Sequence, residues 1–252
     1  MRAMCVLGVA LLAICGAIAR PSAAANLALV LLTDVSSSID EGEYAMVKDG
    51  YRAAFADPQV IAAILGNGGG VAVTYVEFSD ASNVRVVQGW QLLTDAASAR
   101  AFGEAVAAAP RSSTGNTALA ASLKQATALL QAADFGDARK VIDVASDHPW
   151  DGGRSATVRD RAVEAGITIN ALPIIEKFQY KSFDGQTNTA AIEWRTSDMA
   201  AFYHQYVIGG PGSFLIEAHD FAAFGEALKR KLLRELIAQG DLQEAAAPAA
   251  IQ

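Results

Sequence analysis

The chain has 252 residues, of which 52% are hydrophobic and 19% are charged, and its formal net charge is -7. This composition predicts a globular protein with a sizeable apolar core and excludes an intrinsically disordered chain. The negative charge disfavours binding to nucleic acids, because it repels their phosphate backbones, whereas it attracts divalent cations.

The first 25 residues have the pattern of a signal peptide. Arg2 provides the positive start, residues 4–18 are apolar or small and uncharged, and residues 23–25 offer an alanine cleavage site. A membrane anchor is the alternative, but the run is shorter than a bilayer span of about 18 residues and is followed by Arg20. We therefore predict an exported protein, periplasmic or secreted, without stable membrane insertion after cleavage.

Removal of this segment would change the chemistry available to the protein. The segment holds Arg2 and Arg20 but no acidic residue, so the net charge of the mature chain would be -9. It also holds both cysteines, Cys5 and Cys15, so the mature chain would have no thiol. The sequence thereby excludes disulfides, thiolate metal sites and thiol catalysis.

Beyond this segment, apolar runs alternate with helical patterns. Residues 27–35 form a nearly continuous apolar run, which is typical of a strand covered on both faces. Helical spacing follows over residues 41–55 and ends near Pro58. Strands are predicted over residues 71–78 and 84–93, and the short link between them indicates a hairpin.

The second half continues this alternation. Helices are predicted over residues 95–108, 117–132, 154–165, 198–207 and 220–238, and strands over residues 140–146, 168–175 and 213–218. Residues 176–198 are predicted to form a long polar loop. The alanine-rich residues 239–252 are predicted to be a disordered C-terminal tail.

This order of elements predicts an α/β fold with a doubly wound, mostly parallel six-stranded sheet, one antiparallel edge strand and helices on both faces. We assign residues 1–25 to a signal peptide, residues 26–238 to one domain and residues 239–252 to the tail. Ligands of such sheets bind beyond the carboxyl ends of the strands. Candidate functional residues are therefore sought after the first and fourth strands and before the central helix.

Three oxygen-bearing side chains follow the first strand at intervals of two residues. Asp34, Ser36 and Ser38 can present a carboxylate and two hydroxyls to a common point in one tight turn. Hard oxygen ligands of this kind suit Mg²⁺ or Mn²⁺. The alternative is an ordinary polar loop in which Ser38 or Asp40 caps the next helix.

Two further segments end at the same predicted edge of the sheet. Thr117 stands at the start of the central helix, and Asp147 follows the fourth strand. Each of them has an alternative role as a helix cap or turn residue. His148, next to Asp147, is either a further metal contact or a solvated loop residue.

The order and spacing of these residues resemble the metal-ion-dependent adhesion site (MIDAS) of von Willebrand factor type A (vWA) domains. That site is read as Asp-x-Ser-x-Ser, then Thr, then Asp, and the matching positions are Asp34, Ser36, Ser38, Thr117 and Asp147. The resemblance extends over about residues 27–236. A secreted bacterial branch of this superfamily, domain of unknown function 1194, is also similar over residues 49–51, 57–58, 73–77, 141–144, 166–170 and 207–212.

The resemblance implies a binding module and not an enzyme. It implies that the hydroxyls of Ser36, Ser38 and Thr117 contact Mg²⁺, or Mn²⁺ or Ca²⁺, directly or through water. It also implies that Asp34 and Asp147 supply negative charge, and that a coordination position stays open for the carboxylate of a protein partner. In the wider family the last Asp is usually followed by Gly, whereas His148 and Pro149 follow here.

Three other functions stay open at this point. A hydrolase would use Ser36 or Ser146 with His148, or a metal-bound water, although the chain has no Gly-x-Ser-x-Gly elbow. A nucleotide-binding Rossmann enzyme would need a glycine-rich turn after the first strand, where Asp-Val-Ser-Ser-Ser stands instead. A scaffold that has lost its metal is the third, and the five intact oxygen-bearing residues disfavour it.

Overall fold

The computed structural model describes residues 25–148, 152–175, 180–181, 187–188 and 196–246. The predicted signal peptide lies outside the described residues except for Ala25, and so does most of the polar segment 176–198. In the described part of the chain, no helix is long and apolar enough to cross a membrane.

Five strands form the central sheet of the described residues. They are β1 (Leu27–Asp34), β2 (Val71–Phe78), β3 (Val84–Leu93), β4 (Arg139–Ser146) and β5 (Ile167–Pro173). Their order is β3-β2-β1-β4-β5, and all neighbours are parallel except the β2–β3 hairpin. The predicted hairpin and antiparallel edge strand are confirmed.

Seven helices are described around this sheet. They are α1 (Glu41–Ala56), α2 (Pro58–Gly66), α3 (Ala96–Ala108), α4 (Leu119–Ala132), α5 (Gly152–Glu164), α6 (Thr196–Tyr206) and α7 (Phe224–Ala246). Helices α1, α2, α3 and α7 pack on one face, and α4, α5 and α6 pack on the other. The predicted doubly wound α/β arrangement is confirmed. Two short strands, β6 (Tyr180–Lys181) and β7 (Thr187–Asn188), pair separately from the sheet.

The apolar run of β1 follows from its place at the centre of the sheet. Leu27, Leu29 and Leu31 belong to the core on one face, and the alternate residues Ala28, Val30 and Leu32 belong to the core on the other. Because both faces are covered, every residue of the strand is buried. The residue that ends this strand, Asp34, is therefore buried as well.

The predicted sixth strand over residues 213–218 is not confirmed. This segment lies beside β5, where the amides of Ile216 and Ala218 each donate to a backbone carbonyl of that strand at 3.0 Å. It pairs with β5 at isolated bridges and not in a continuous ladder. Pro173 lies between the two bridges and has no backbone N–H to donate, so the ladder is interrupted there.

Helix boundaries also differ from the prediction at three places. Helix α2 is absent from the prediction, although Asp57 caps it and Pro58 occupies its first turn. Helix α4 begins at Leu119 and not at residue 117. Helix α7 begins at Phe224 and continues to Ala246, into the stretch for which the sequence predicts a tail.

Buried charges join α7 to the sheet. Lys231 forms an ion pair with Asp143 of β4, and their side chains are 1% and 4% exposed. One turn later, Glu235 pairs with Arg139 at 2.5 Å and accepts a hydrogen bond from Asn170. Burial raises the pKa of Asp143 to about 6, although the adjacent Lys231 lowers it. These contacts give Asp143 a structural role on the face of the sheet that α7 covers.

Lys231→Met is expected to lower the free energy of unfolding by about 3–5 kcal/mol, because it leaves the Asp143 carboxylate buried without its cation. Lys229→Met is the matched control on the same helix, since Lys229 pairs with the partly exposed Asp57. The control is expected to cost much less, because its ion pair is partly exposed to solvent. Urea unfolding followed by circular dichroism measures both, and equal losses would contradict the importance of the buried pair.

Candidate metal site

The candidate site lies at the carboxyl ends of β1 and β4. Thr33 of β1 pairs with Ala145 of β4, so that Asp34 comes beside Ser146 at the ends of these parallel strands. The loop before α4 reaches the same edge, because the amide of Ala118 donates to a carbonyl just after β2 at 2.9 Å. The topology thus brings the three predicted segments together.

Asp34 forms the base of the site and is 1% exposed. Its Oδ1 accepts a hydrogen bond from the backbone amide of Ser36 at 2.8 Å. Its Oδ2 accepts one from the Ser146 hydroxyl at 2.6 Å. Among the described residues, no lysine or arginine forms an ion pair with Asp34. The carboxylate is therefore oriented at both oxygens, while the part of the chain that the structure describes places no lysine or arginine in an ion pair with it.

Four of the predicted site residues form a chain of hydrogen-bonded oxygens above Asp34. The Thr117 hydroxyl donates to Ser36 Oγ at 3.0 Å. Ser36 Oγ and Ser38 Oγ are 3.1 Å apart. The Ser38 hydroxyl donates to Asp147 Oδ1 at 3.2 Å. All five oxygen-bearing residues predicted from the sequence therefore converge at one place.

The loop that carries Thr117 is fixed by its neighbours. The amide and the hydroxyl of Ser37 both donate to the Gly115 carbonyl, at 2.8 and 2.7 Å. Asp80 Oδ1 accepts from the amide of Asn116 at 3.0 Å. Gly115 has a φ of 141°, and a Cβ at this position would lie 2.2 Å from Asp80 Oδ2. Glycine is therefore required for this close approach.

Burial raises the pKa of both carboxyl groups of the site above the ordinary value. The pKa of Asp34 is raised to about 7, first by burial and then by the negative charge of Asp147, although hydrogen bonds from Ser146 and Ser36 lower it. Burial also raises the pKa of Asp147, against the hydrogen bond from Ser38. A cation held near both groups would stabilise their charged forms.

This set of oxygens fits a small divalent cation. Mg²⁺ binds oxygen ligands octahedrally at about 2.0–2.1 Å, which places neighbouring ligands about 3 Å apart. The oxygen–oxygen distances of 3.0, 3.1 and 3.2 Å along the chain match that spacing. Within the described residues, no group of three or more His, Cys, Asp or Glu side chains forms a metal cluster. The candidate ligands are thus mainly hydroxyls, which suit the hard cations Mg²⁺, Mn²⁺ and Ca²⁺.

Neither Ser38 nor Thr117 has the alternative role of a helix cap. Asp40 caps α1 in a capping box with Glu43. Helix α4 follows Ala118 without a side-chain cap. The Ser38 hydroxyl is instead hydrogen-bonded to Ser36 and Asp147, and the Thr117 hydroxyl is hydrogen-bonded to Ser36.

His148 lines the open side of the site. A pocket of about 470 Å³ is bordered by Ser36, Ser38, Gly115, Asn116, Thr117 and His148. The amide of His148 donates to Ser146 Oγ at 3.2 Å, and its carbonyl accepts from the Tyr203 hydroxyl at 3.5 Å. The loop thus holds Asp147 at the site without the glycine that is usual in the wider family. Pro149 lies outside the described residues.

Two residues that support Asp34 and Asp147 were not predicted in this role. The sequence offers Ser146 as a candidate nucleophile, but in the structure its hydroxyl orients Asp34. A signal for this role exists, because Ser146 ends the strand that neighbours β1. Tyr203 of α6 donates to the Ser146 carbonyl at 3.3 Å and lies 57 residues further along the chain. Nothing in the local sequence indicates that contact.

We expect the stability of the cation-free protein to fall as the pH rises from about 5 to 8. Asp34 has a folded-state pKa of about 7, above the ordinary 3.8. The folded state therefore binds the proton more tightly than the unfolded state, and this stabilisation is lost as the pH rises through the folded-state pKa. Thermal unfolding in a chelator measures the effect.

Asp34→Asn is the matched control, because its amide keeps the shape of the carboxyl group and does not titrate. The fall in melting temperature between pH 5 and pH 8 should be smaller in this variant. Millimolar Mg²⁺ should reduce the fall in the wild type but not in the variant. Identical pH profiles of the two proteins in chelator would show that Asp34 is not protonated in the folded state.

Solved structures share this fold over most of the chain. Pilus adhesin SpaC from Lactobacillus rhamnosus GG, in an open conformation, aligns with a TM-score of 0.56 and 17% identity over 85% of this chain and 30% of SpaC. A von Willebrand factor type A protein from Catenulispora acidiphila aligns with a TM-score of 0.55 and 17% identity over 84% of this chain and 43% of its own. Proximal thread matrix protein 1 from the mussel byssus, with a zinc-occupied MIDAS motif, aligns with a TM-score of 0.55 and 15% identity over 85% of this chain and 47% of its own.

At these identities the likeness shows the vWA fold alone, and this chain spans less than half the length of each of the three proteins. No curated protein matches the chain. A family model described as protein of unknown function, DUF1194, matches residues 24–240. Because this match covers most of the sequence, the chain belongs to the DUF1194 family and has a vWA-like fold.

Proposed function

We propose that the protein is a metal-dependent binding module that uses one divalent cation to bind an acidic group of a partner protein. The single observation that carries this proposal is the convergence of Asp34, Ser36, Ser38, Thr117 and Asp147 at one place, where Ser36, Ser38 and Thr117 border an open pocket. Mg²⁺ is the cation that we favour, with Mn²⁺ and Ca²⁺ as alternatives. The fold supports the proposal, since one structure with the same fold is an adhesin and another has a zinc-occupied MIDAS motif.

Each residue of the site would have a distinct part in holding the cation. The hydroxyls of Ser36, Ser38 and Thr117 would be its neutral ligands. Asp34 fixes the backbone of Ser36, and Asp147 accepts a hydrogen bond from Ser38, so both carboxylates orient the hydroxyls and supply charge. Because neutral ligands offset little of its charge, a bound cation would act as a Lewis acid toward an incoming carboxylate.

The hydrogen bonds of the two candidate nucleophiles disfavour a hydrolase. Ser36 Oγ is hydrogen-bonded to Ser38 and Thr117. The Ser146 hydroxyl donates to Asp34 and accepts from the backbone amide of His148. An activated serine needs a general base within hydrogen-bond reach and access to its substrate. The named partners of Ser36 Oγ are hydroxyls, and Ser146, which donates to the Asp34 carboxylate, is fully buried. We therefore propose that the protein is not an enzyme.

The loop after β1 also disfavours nucleotide binding. A phosphate cradle needs free backbone amides. The amide of Ser36 donates to Asp34, that of Ser37 to the Gly115 carbonyl, and that of Ile39 to the Ser36 carbonyl. These amides are occupied within the protein.

The signal-peptide pattern of residues 1–25 further leads us to propose that the module acts in the periplasm or outside the cell.

We expect isothermal titration calorimetry of the mature protein to detect one Mg²⁺ site. Ser36→Ala and Thr117→Val should each lower the affinity at least about tenfold, because each removes an oxygen from the cation site. Ser37→Ala is the matched control in the same loop, and it should change the affinity less than about threefold. Its hydroxyl does not belong to the oxygen chain, and Ser37→Ala keeps the bond from the Ser37 amide to the Gly115 carbonyl that holds the Thr117 loop.

Partner binding should follow metal binding in the same variants. Proteins recovered from envelope extracts with the wild type in Mg²⁺ should be lost in chelator and with Ser36→Ala, but kept with Ser37→Ala. Wild-type protein that binds no Mg²⁺, Mn²⁺ or Ca²⁺ would refute the proposed function.

A further inference from the structure

We infer that Arg111 is a positioning residue that shapes the Ser36–Ser38 loop for metal binding before any cation is bound. This inference rests on the proposed function. Arg111 lies in the loop between α3 and α4, far in sequence from the residues that it contacts. It belongs to neither the resemblance in sequence nor the candidate ligand set.

The guanidinium of Arg111 is surrounded by backbone carbonyls of the loop that follows β1. Its Nη2 donates to the carbonyls of Val35, Ser36 and Ile39 at 2.9, 2.8 and 2.8 Å. Its side chain is 10% exposed, and Nη1 pairs with the exposed Glu41 at 3.1 Å. Three carbonyl oxygens that converge on one point repel one another, and a buried cationic donor offsets that repulsion.

Contacts with a buried carboxylate hold the Arg111 segment in place. The amide of Ser112 donates to Glu77 Oε2 at 2.8 Å. The other oxygen of Glu77 accepts from the Tyr44 hydroxyl at 2.8 Å and pairs with Lys48 at 3.2 Å. The Arg111 guanidinium also lies 5.2 Å from the centre of the Tyr44 ring. Arg111 therefore acts from a position fixed by α1 and β2.

The loop after β1 is thus held from two sides. On one side the carbonyls of Val35, Ser36 and Ile39 bind Arg111, and on the other side the hydroxyls of Ser36 and Ser38 face the pocket. Since Ser36 contributes to both sides, the orientation of its backbone links the guanidinium to the cation site. A loop held in advance needs less ordering when the cation binds, which raises the affinity.

Two readouts test this inference with Arg111→Met, which keeps the aliphatic stem and removes every donor. In chelator, hydrogen–deuterium exchange of residues 35–39 should be at least about tenfold faster than in the wild type, while exchange in β4 is unchanged. In calorimetry below the melting temperature, the Kd for Mg²⁺ should rise at least about tenfold. A purely structural role would lower the melting temperature without changing the Kd of the folded protein.

Glu41→Gln is the matched control, because it removes the exposed ion pair of Arg111 and leaves the three carbonyl contacts. It should change neither readout more than about twofold. If Arg111→Met does not fold, Arg111→Lys, which keeps the charge but not the planar guanidinium, should raise the Kd at least about threefold.

The outcomes separate this inference from the proposed function. A wild-type protein that binds no cation refutes the proposed function, while exchange in chelator still reports whether Arg111 orders the loop. A folded Arg111→Met protein with wild-type exchange over residues 35–39, or with wild-type Kd for Mg²⁺, overturns the inference.

Discussion

The carboxylate of Asp34, buried at the end of the central strand, is the constraint on which the candidate site depends. Burial of an ionised group is costly unless a counter-charge or strong hydrogen bonds compensate it. The described residues supply Asp34 with two hydrogen bonds, from Ser36 and Ser146, but with no lysine or arginine partner. Asp147 adds a second negative charge nearby. Either a proton or a bound cation can offset the buried negative charge of these two carboxylates.

Among the described residues, two other buried carboxylates, unlike Asp34, have a lysine partner. Glu77 is paired with Lys48, and Asp143 is paired with Lys231, and each of these partners is buried as well. Both pairs lie on the face of the sheet covered by α1 and α7, where they tie helices to strands. Asp34 lies at the open edge, beside hydroxyls that border a pocket. The contrast supports a cation from solution as the natural partner of Asp34.

Much of the fold and the site follows from local sequence, and the exceptions have physical reasons. The apolar run of β1 predicted its central position, and the oxygen-bearing residues after β1 and β4 converge because parallel strands end at one edge. The predicted sixth strand is not confirmed because Pro173 of β5 lacks the backbone N–H that a continuous ladder needs. Arg111 and Tyr203 could not be identified, because their roles depend on contacts between distant segments. Whether the site holds a metal stays a prediction.

The most direct test of the account is the position of a bound cation in crystals of the mature protein soaked in Mn²⁺. Anomalous scattering locates Mn²⁺ independently of any assumption about its ligands. We expect one strong peak within about 2.5 Å of the hydroxyl oxygens of Ser36, Ser38 and Thr117. A fully soaked crystal without a peak at these three oxygens would contradict the account.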